Sequence, residues 1–432
     1  MCIRQTVIVL TVSLVAGCDN SGDSSVNVPT ASPSDAARST SPGGVTVALT
    51  APESDPDRDG RHVGGDDAHS DPDPISRLLS EIRELRISTS RGNGDHPNRT
   101  IVLKATEILK LTMHDSTRQS QFLDAIRHLL QARLQLALTG SATDIDQLYA
   151  DVQALNQRDP NSAPAAEGIF CLAKFAHTMA RQVRQDKAEW NVNFSRWARE
   201  FSSRFPQQSE RAMSLLFGAS RSCEIASATA DSDEQTALLR TEARLCYLLL
   251  REKWPKEPRG QEAAAVLRRL DLPGRQLSQF AGPDLSGGRV SAEQFREKIT
   301  LIYFWDSESH DFAHRWLPLL KTAESTLTSR RIRFVGVNLD EDIDRCRTSV
   351  RTLAVPGRQI YFTDEQRRGW NSPLVRFWGV SQSPSVWLID QDGTVDSVDI
   401  RKDALETRIG LLINGSTSSG NADRTRPPRD NT

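Results

Sequence analysis

The apolar residues of this chain change their spacing once, near residue 270, and that change divides what the chain can fold into. From about Ser76 to Leu270 they recur three and four residues apart, as in Phe122, Ile126, Leu129, Leu130 and Leu134, or Ala237, Leu238, Ala243, Leu245 and Leu249. That period places them on one face of successive helices, and almost no β alternation interrupts it. Polar breaks punctuate the pattern at Thr139 to Ser141, Arg158 to Asn161, Phe205 to Gln208 and Trp254 to Pro258, and each proline among them ends one helix and precedes the next. Past Leu270 the unbroken run Ile299 to Trp305 reads instead as a strand covered on both faces. The spacing therefore predicts an all-α domain over residues 76–271 and an α/β domain over 272–414.

Within the helical half, Pro160, Pro206 and Pro255 fall at near-regular steps, and Arg204, Phe205, Pro206 echo Lys253, Trp254, Pro255. These steps suggest helix-pair repeats, a solenoid-like array of the tetratricopeptide sort, although the period exceeds the ~34 residues of such repeats. An irregular bundle is the alternative. The α/β half reads as a linker from Asp271 to Arg275, a hairpin from Gly282 to Val290, and the strand Ile299 to Trp305. There follow a helix from about Ser309 to Thr328 broken by Pro318, a strand Ile332 to Asn338, and a helix burying Ile343, Cys346, Val350 and Leu353. Strands Val386 to Ile389 and Val395 to Ile400 join through the turn Asp390 to Gly393, before a helix from Ala404 to Ile413 that Asp403 can cap.

At the N-terminus, Arg4 precedes an apolar run ending at Ala16, which is shorter than the ~20 residues a spanning helix needs and reads as a signal peptide. The ending Val15, Ala16, Gly17, Cys18 resembles a bacterial lipobox, in which the cysteine is acylated and becomes the new N-terminus. The resemblance implies a signal peptide over residues 1–18, a lipid anchor on Cys18, and an exported protein held on a membrane facing the periplasm or another extracytoplasmic space. The alternative is an ordinary signal peptide with a chance cysteine. Residues 19–75 are rich in Ser, Asp, Pro and Gly and cannot bury enough apolar surface to offset their ordering entropy, so they read as a disordered tether; residues 415–432 read as a disordered tail. Asp55 to Arg61 has the look of a calcium loop, but no Glu stands at its twelfth position and a solvated acidic linker fits better. With 54 basic and 56 acidic residues, net charge −2, the composition offers no nucleic-acid footprint, and no cofactor is expected.

The C-terminal residues carry a further resemblance. Phe304, Trp305, Asp306, Ser307, Glu308, Ser309, His310, Asp311, Phe312 parallels the strand-to-helix motif F-W-A-x-W-C-x-x-C, and Gly379, Val380, Pro384, Leu388, Ile389, Asp390 and Gly393 parallel G-V-x-x-x-P-x-x-x-L-I-D-x-x-G. Lys298 stands where the family's Gly-Lys opens the first core strand, and Trp370 to Leu374 is familiar from multidomain members. On these residues the region 272–414 resembles the thioredoxin-like superfamily, in particular the TlpA-like redoxin group of membrane-anchored proteins. The resemblance implies thiol-disulfide exchange by a pair of cysteines at the first turn of a helix, and a cis proline, Pro384, whose preceding backbone pairs with an extended peptide.

Neither cysteine is present. Aligned through Phe304 and Trp305, the two places hold Ser309 and Phe312; aligned through Pro318, which sits one residue late, they hold His310 and Ala313. The carboxylate that thioredoxins keep just before Phe-Trp is replaced by Tyr303. Outside the signal region the cysteines are Cys171, Cys223, Cys246 and Cys346, too far apart for a C-x-x-C motif, although export permits a bridge such as Cys223 to Cys246. His310 and His314, four residues apart with Asp306, Glu308 and Asp311 nearby, are weak candidates for a divalent metal. The leading expectation is a lipid-anchored, redox-inactive module that binds an unidentified protein or peptide. A cell-envelope thiol-disulfide oxidoreductase using displaced cysteines is the first alternative, and a metal-binding accessory protein the second, which leaves enzyme activity open.

Overall fold

The computed structural model describes residues 73–89, 96–182, 186–326 and 331–419. The expected signal peptide with Cys18, the calcium-loop look-alike, the expected tether up to residue 72 and the expected tail beyond residue 419 lie outside the described residues. Among the described residues, nine α-helices make up the N-terminal part: α1 (Pro74–Thr89), α2 (His96–Thr112), α3 (Gln119–Ala137), α4 (Ala142–Arg158), α5 (Ala163–Gln182), α6 (Lys187–Arg204), α7 (Ser209–Ser227), α8 (Asp233–Lys253) and α9 (Pro258–Leu270). Ser141 and Ser232 cap α4 and α8 by accepting the backbone N–H groups of Asp144 and Gln235, and Pro258 opens α9 at a position that needs no donor.

Each helix packs on the next, and α1 on α3, α3 on α5, α5 on α7 and α6 on α8, which is the neighbour pattern of a stacked solenoid. The repeat is visible in its hydrogen bonds. The cation ending each even helix reaches back to the end of the previous even helix: Arg158 to the Met113 carbonyl, 45 residues back, Arg204 to the Asn156 side chain, 48 back, and Lys253 to the Ser202 carbonyl, 51 back. Odd helices reach back in the same way from their first turns, Arg211 pairing with Glu167 and Arg259 bonding Ser214 Oγ, 44 and 45 residues back. Pro160, Pro206 and Pro255 each sit in the break between an even and an odd helix, so the proline steps in the sequence are the helix-pair repeat itself.

The C-terminal half is a mixed sheet between helices. It comprises the hairpin β1 (Ala281–Pro283) and β2 (Arg289–Ser291), then β3 (Ile299–Trp305), α10 (Leu317–Thr326), β4 (Ile332–Asn338), α11 (Ile343–Thr352), β5 (Arg358–Ile360), α12 (Pro373–Trp378), β6 (Ser385–Ile389), β7 (Val395–Ser397) and α13 (Lys402–Ser419). The five-stranded order is β5-β4-β3-β6-β7, with β3, β4 and β5 parallel and β6 antiparallel to both of its neighbours, β3 and β7. All seven residues of β3 are buried, because one face meets α10 and α13 through Tyr303 and Trp305 while the other meets Phe280, Phe295, Trp378 and Trp387 through Phe304.

Several boundaries move from the sequence reading. Strand β7 stops at Ser397, where Asp399 turns into the left-handed region at φ 48°. Helix α13 begins at Lys402 and runs to Ser419, so Asp403 lies inside its first turn and the stretch 415–419 is helical. The helix around Pro318 spans residues 310–326 through a wide turn at Phe312–Trp316, in which the Leu317 N–H reaches the Phe312 carbonyl. Proline has no N–H to donate and its ring crowds the carbonyl four residues back, here that of His314, which the extra residue in the turn relieves. The linker from Asp271 to Arg275 and the residues after it are stitched to the sheet: Gly274 N–H meets the Val395 carbonyl at 2.8 Å, Val395 N–H meets the Arg275 carbonyl at 2.8 Å, and Leu277 N–H meets the Gly393 carbonyl at 3.0 Å. No helix among the described residues is long and apolar enough to cross a membrane.

Candidate functional site

The site lies at the C-terminal ends of β3 and β4. Phe304 pairs with Ser385, so antiparallel register sets Pro384 beside Trp305, where the chain leaves β3 for the loop 306–309. The Ser383–Pro384 peptide is cis. Asp340, at the end of β4 and buried, pins that loop by accepting the Ser307 N–H at 2.8 Å and its hydroxyl at 3.0 Å, while Asn338 holds the other carboxylate oxygen at 2.9 Å.

Ser309 stands immediately before the helix. Its Oγ accepts the Phe312 N–H at 3.2 Å, which makes it an N-cap and uses one of the unpaired donors of the first turn. Phe312 turns inward and is 1 % exposed. Its ring stacks on Trp305 at 4.8 Å between centroids and on Tyr303 at 5.9 Å. In the register through Phe304 and Trp305, the two places that the family resemblance gives to a thiolate pair are thus filled by a capping hydroxyl and a core aromatic.

Tyr303 is completely buried, and its hydroxyl donates to the Pro356 carbonyl. Burial raises its pKa, so it stays a neutral phenol. Gln359 completes the cluster: its Nε2 bonds the Tyr303 hydroxyl and the Pro356 carbonyl, both at 2.9 Å, and its Oε1 accepts the Trp305 indole N–H at 3.0 Å. Only glycine fits at 336 beside it, since a Cβ there would come within 2.0 Å of Gln359 Oε1. A neutral, fully bonded network occupies the ground behind the site where a proton-relaying carboxylate would stand. Sequence reasoning missed Gln359 and Asp340, and no local pattern marks either.

The four described cysteines are free and buried. The bridge considered between Cys223 and Cys246 is not formed: Cys223 Sγ faces the Asn191 carbonyl at 3.4 Å, and Cys246 Sγ faces Ser195 Oγ at 3.2 Å. Burial pushes the thiols of Cys171 and Cys246 up to about 12 and that of Cys223 well above its ordinary value. For Cys346 burial, helped by Asp340, also pushes the thiol up to about 12. None has the electropositive, accessible setting of a reactive thiol. His310 and His314 are exposed with ring centroids 4.2 Å apart, but among the described residues no group of three or more His, Cys, Asp or Glu side chains is placed to hold a metal ion.

Residues 297–395 match a family described as thioredoxin-like, and the C-terminal region of this chain holds a thioredoxin-like domain. Solved structures similar to it include a thiol-disulfide oxidoreductase from Bacteroides fragilis, 21 % identical over 32 % of this chain and 99 % of that one, TM-score 0.29. A thiol:disulfide interchange protein of the thioredoxin family from Chlorobium tepidum is 18 % identical over 33 % of this chain and 99 % of that one, TM-score 0.28. No curated protein matches the chain.

Proposed function

We propose that this protein is exported and lipid-anchored through Cys18, and that its helical array presents a thioredoxin-like domain that binds a protein or peptide without redox chemistry. One observation carries the non-redox part: neither register of the resemblance brings a cysteine to the thiol positions, and in the register through Phe304 and Trp305 their occupants are Ser309, bonded as a helix cap, and Phe312, packed into the core. Disulfide exchange needs a thiolate to attack sulfur, and a serine hydroxyl is not ionised at neutral pH and forms no disulfide. The binding part is supported by the retained frame, in which Pro384 borders Trp305 at the strand end and the helix still starts directly after Ser309. Export and anchoring rest on residues 1–18 alone.

Thiol titration tests the reading. In the full chain carrying Cys2→Ser and Cys18→Ser, a chromogenic aromatic disulfide at neutral pH is expected to find no rapidly reacting thiol until denaturant is added, when the four buried cysteines all react. A native thiol that reacts in seconds, with a pKa near neutrality, would return the protein to the oxidoreductases.

A further inference from the structure

The repeat of the array is a helix pair, and α9 is half of one. Helices α1 to α8 form four pairs, after which α9 follows α8 and the chain passes straight into the thioredoxin-like domain. A solenoid end exposes the face that the next repeat would bury, which natural arrays cover with a capping element. Here α12 packs on α9, against the end of the array.

The fit is close. Gly379 ends α12 at φ 59°, and a Cβ there would lie 2.4 Å from the Val266 backbone nitrogen and 2.7 Å from the Ala265 carbonyl carbon on α9, so both conformation and contact require glycine. Arg268 of α9 lies over the Phe377 ring at 4.1 Å and donates to its carbonyl. Beside this contact is a buried polar node. Arg269, completely buried on α9, pairs with Glu224 of α7 and with Asp399 between β7 and α13. Glu224 also accepts Tyr247 Oη at 2.7 Å and Ser381 Oγ at 3.0 Å, while Asp399 accepts Ser385 Oγ at 2.5 Å. Arg221 and Arg240 bond the Ser381 and Asp399 carbonyls, each at 2.9 Å, and Arg401 reaches Thr236 Oγ1 at 3.0 Å. Helices α7, α8 and α9 therefore grip the loops on either side of β6 and β7 at once.

We infer that the thioredoxin-like domain is the C-terminal cap of the helical array and that the two domains fold as one cooperative unit. The domain thereby has a structural task in this chain that needs no cysteine. It also ties the loop ahead of Pro384 to the array, through Arg221 and Glu224.

Urea unfolding of the full chain, followed by hydrogen exchange with mass-spectrometric readout of peptides from α5 and α6 and from β3 and β6, tests this. In the wild type both sets of peptides are expected to open at the same urea concentration. Gly379→Ala is expected to make both roughly tenfold more open at a given urea concentration, from the left-handed backbone alone. Should that variant fail to fold, Arg268→Ala, which removes only a half-exposed contact, is expected to move both midpoints by equal amounts. Separate wild-type transitions, or a variant that shifts the β3 and β6 peptides and leaves α5 and α6 in place, would overturn the inference.

Discussion

Replacing Arg269 with alanine lowers the stability of the chain by about 3–5 kcal/mol, the cost of leaving buried carboxylates without their cation. Arg269 is completely buried and is shared by Glu224 and Asp399, so its removal strands two partners together. The effect has a pH signature. In the native protein, burial works to raise the Glu224 carboxyl, but the charges of Arg269 and Arg221 outweigh it and hold the pKa below its ordinary value. A depressed carboxyl contributes stability that is fully present above its unfolded pKa of about 4.3 and is lost as pH falls through the lower folded value. In the variant burial dominates, the folded pKa rises above the unfolded one, and stability is instead lost as pH rises. The gap between wild type and variant in urea denaturation therefore narrows on acidification from about pH 7 to about pH 4. A gap below about 1 kcal/mol, or one that is flat with pH, contradicts the assignment. The triple variant Arg269→Met, Glu224→Gln, Asp399→Asn removes all three charges and is expected to recover much of the loss.

Phe312→Ala is the second large loss, again about 3–5 kcal/mol, because it empties a core position instead of trimming a surface one. The ring lies against Trp305 and Tyr303, which are themselves fully buried, and collapse into the void is resisted by the Tyr303 and Trp305 bonds to Gln359. Denaturation midpoints give the size of the loss, and the near-ultraviolet circular dichroism of Trp305 shows that it arises at the site. A cost under about 1 kcal/mol would mean that Phe312 is a surface residue of the site and not part of its core.

Much of this architecture is written locally in the chain. The run Ile299 to Trp305 can be satisfied only by cover on both faces, and the elements packed on either side of the sheet supply it. The proline steps mark the true repeat, although its identity needed the hydrogen bonds that span 44 to 51 residues. What escaped reading depends on partners far away in sequence. Strand β5 has three residues, and only pairing with β4 makes it a strand. Gln359 looks like an ordinary surface amide until Gly336 opens room for it next to Trp305 and Tyr303. Arg269 reads as one more cation in the last turn of a helix, since its partners are 45 and 130 residues away. At the site, the absence of a C-x-x-C pair is plain in the sequence, but only the fold shows what Ser309 and Phe312 do there: one caps a helix and the other stacks in the core.

The most direct measurement is insulin-disulfide reduction by the full chain carrying Cys2→Ser and Cys18→Ser, run beside the same chain with Ser309→Cys and Phe312→Cys. The proposed function predicts no reduction above background from the first protein, with activity confined to the one in which the thiol pair is restored. Reduction of insulin by the chain with its native Ser309 and Phe312 would contradict it, and would require a working thiol among Cys171, Cys223, Cys246 and Cys346.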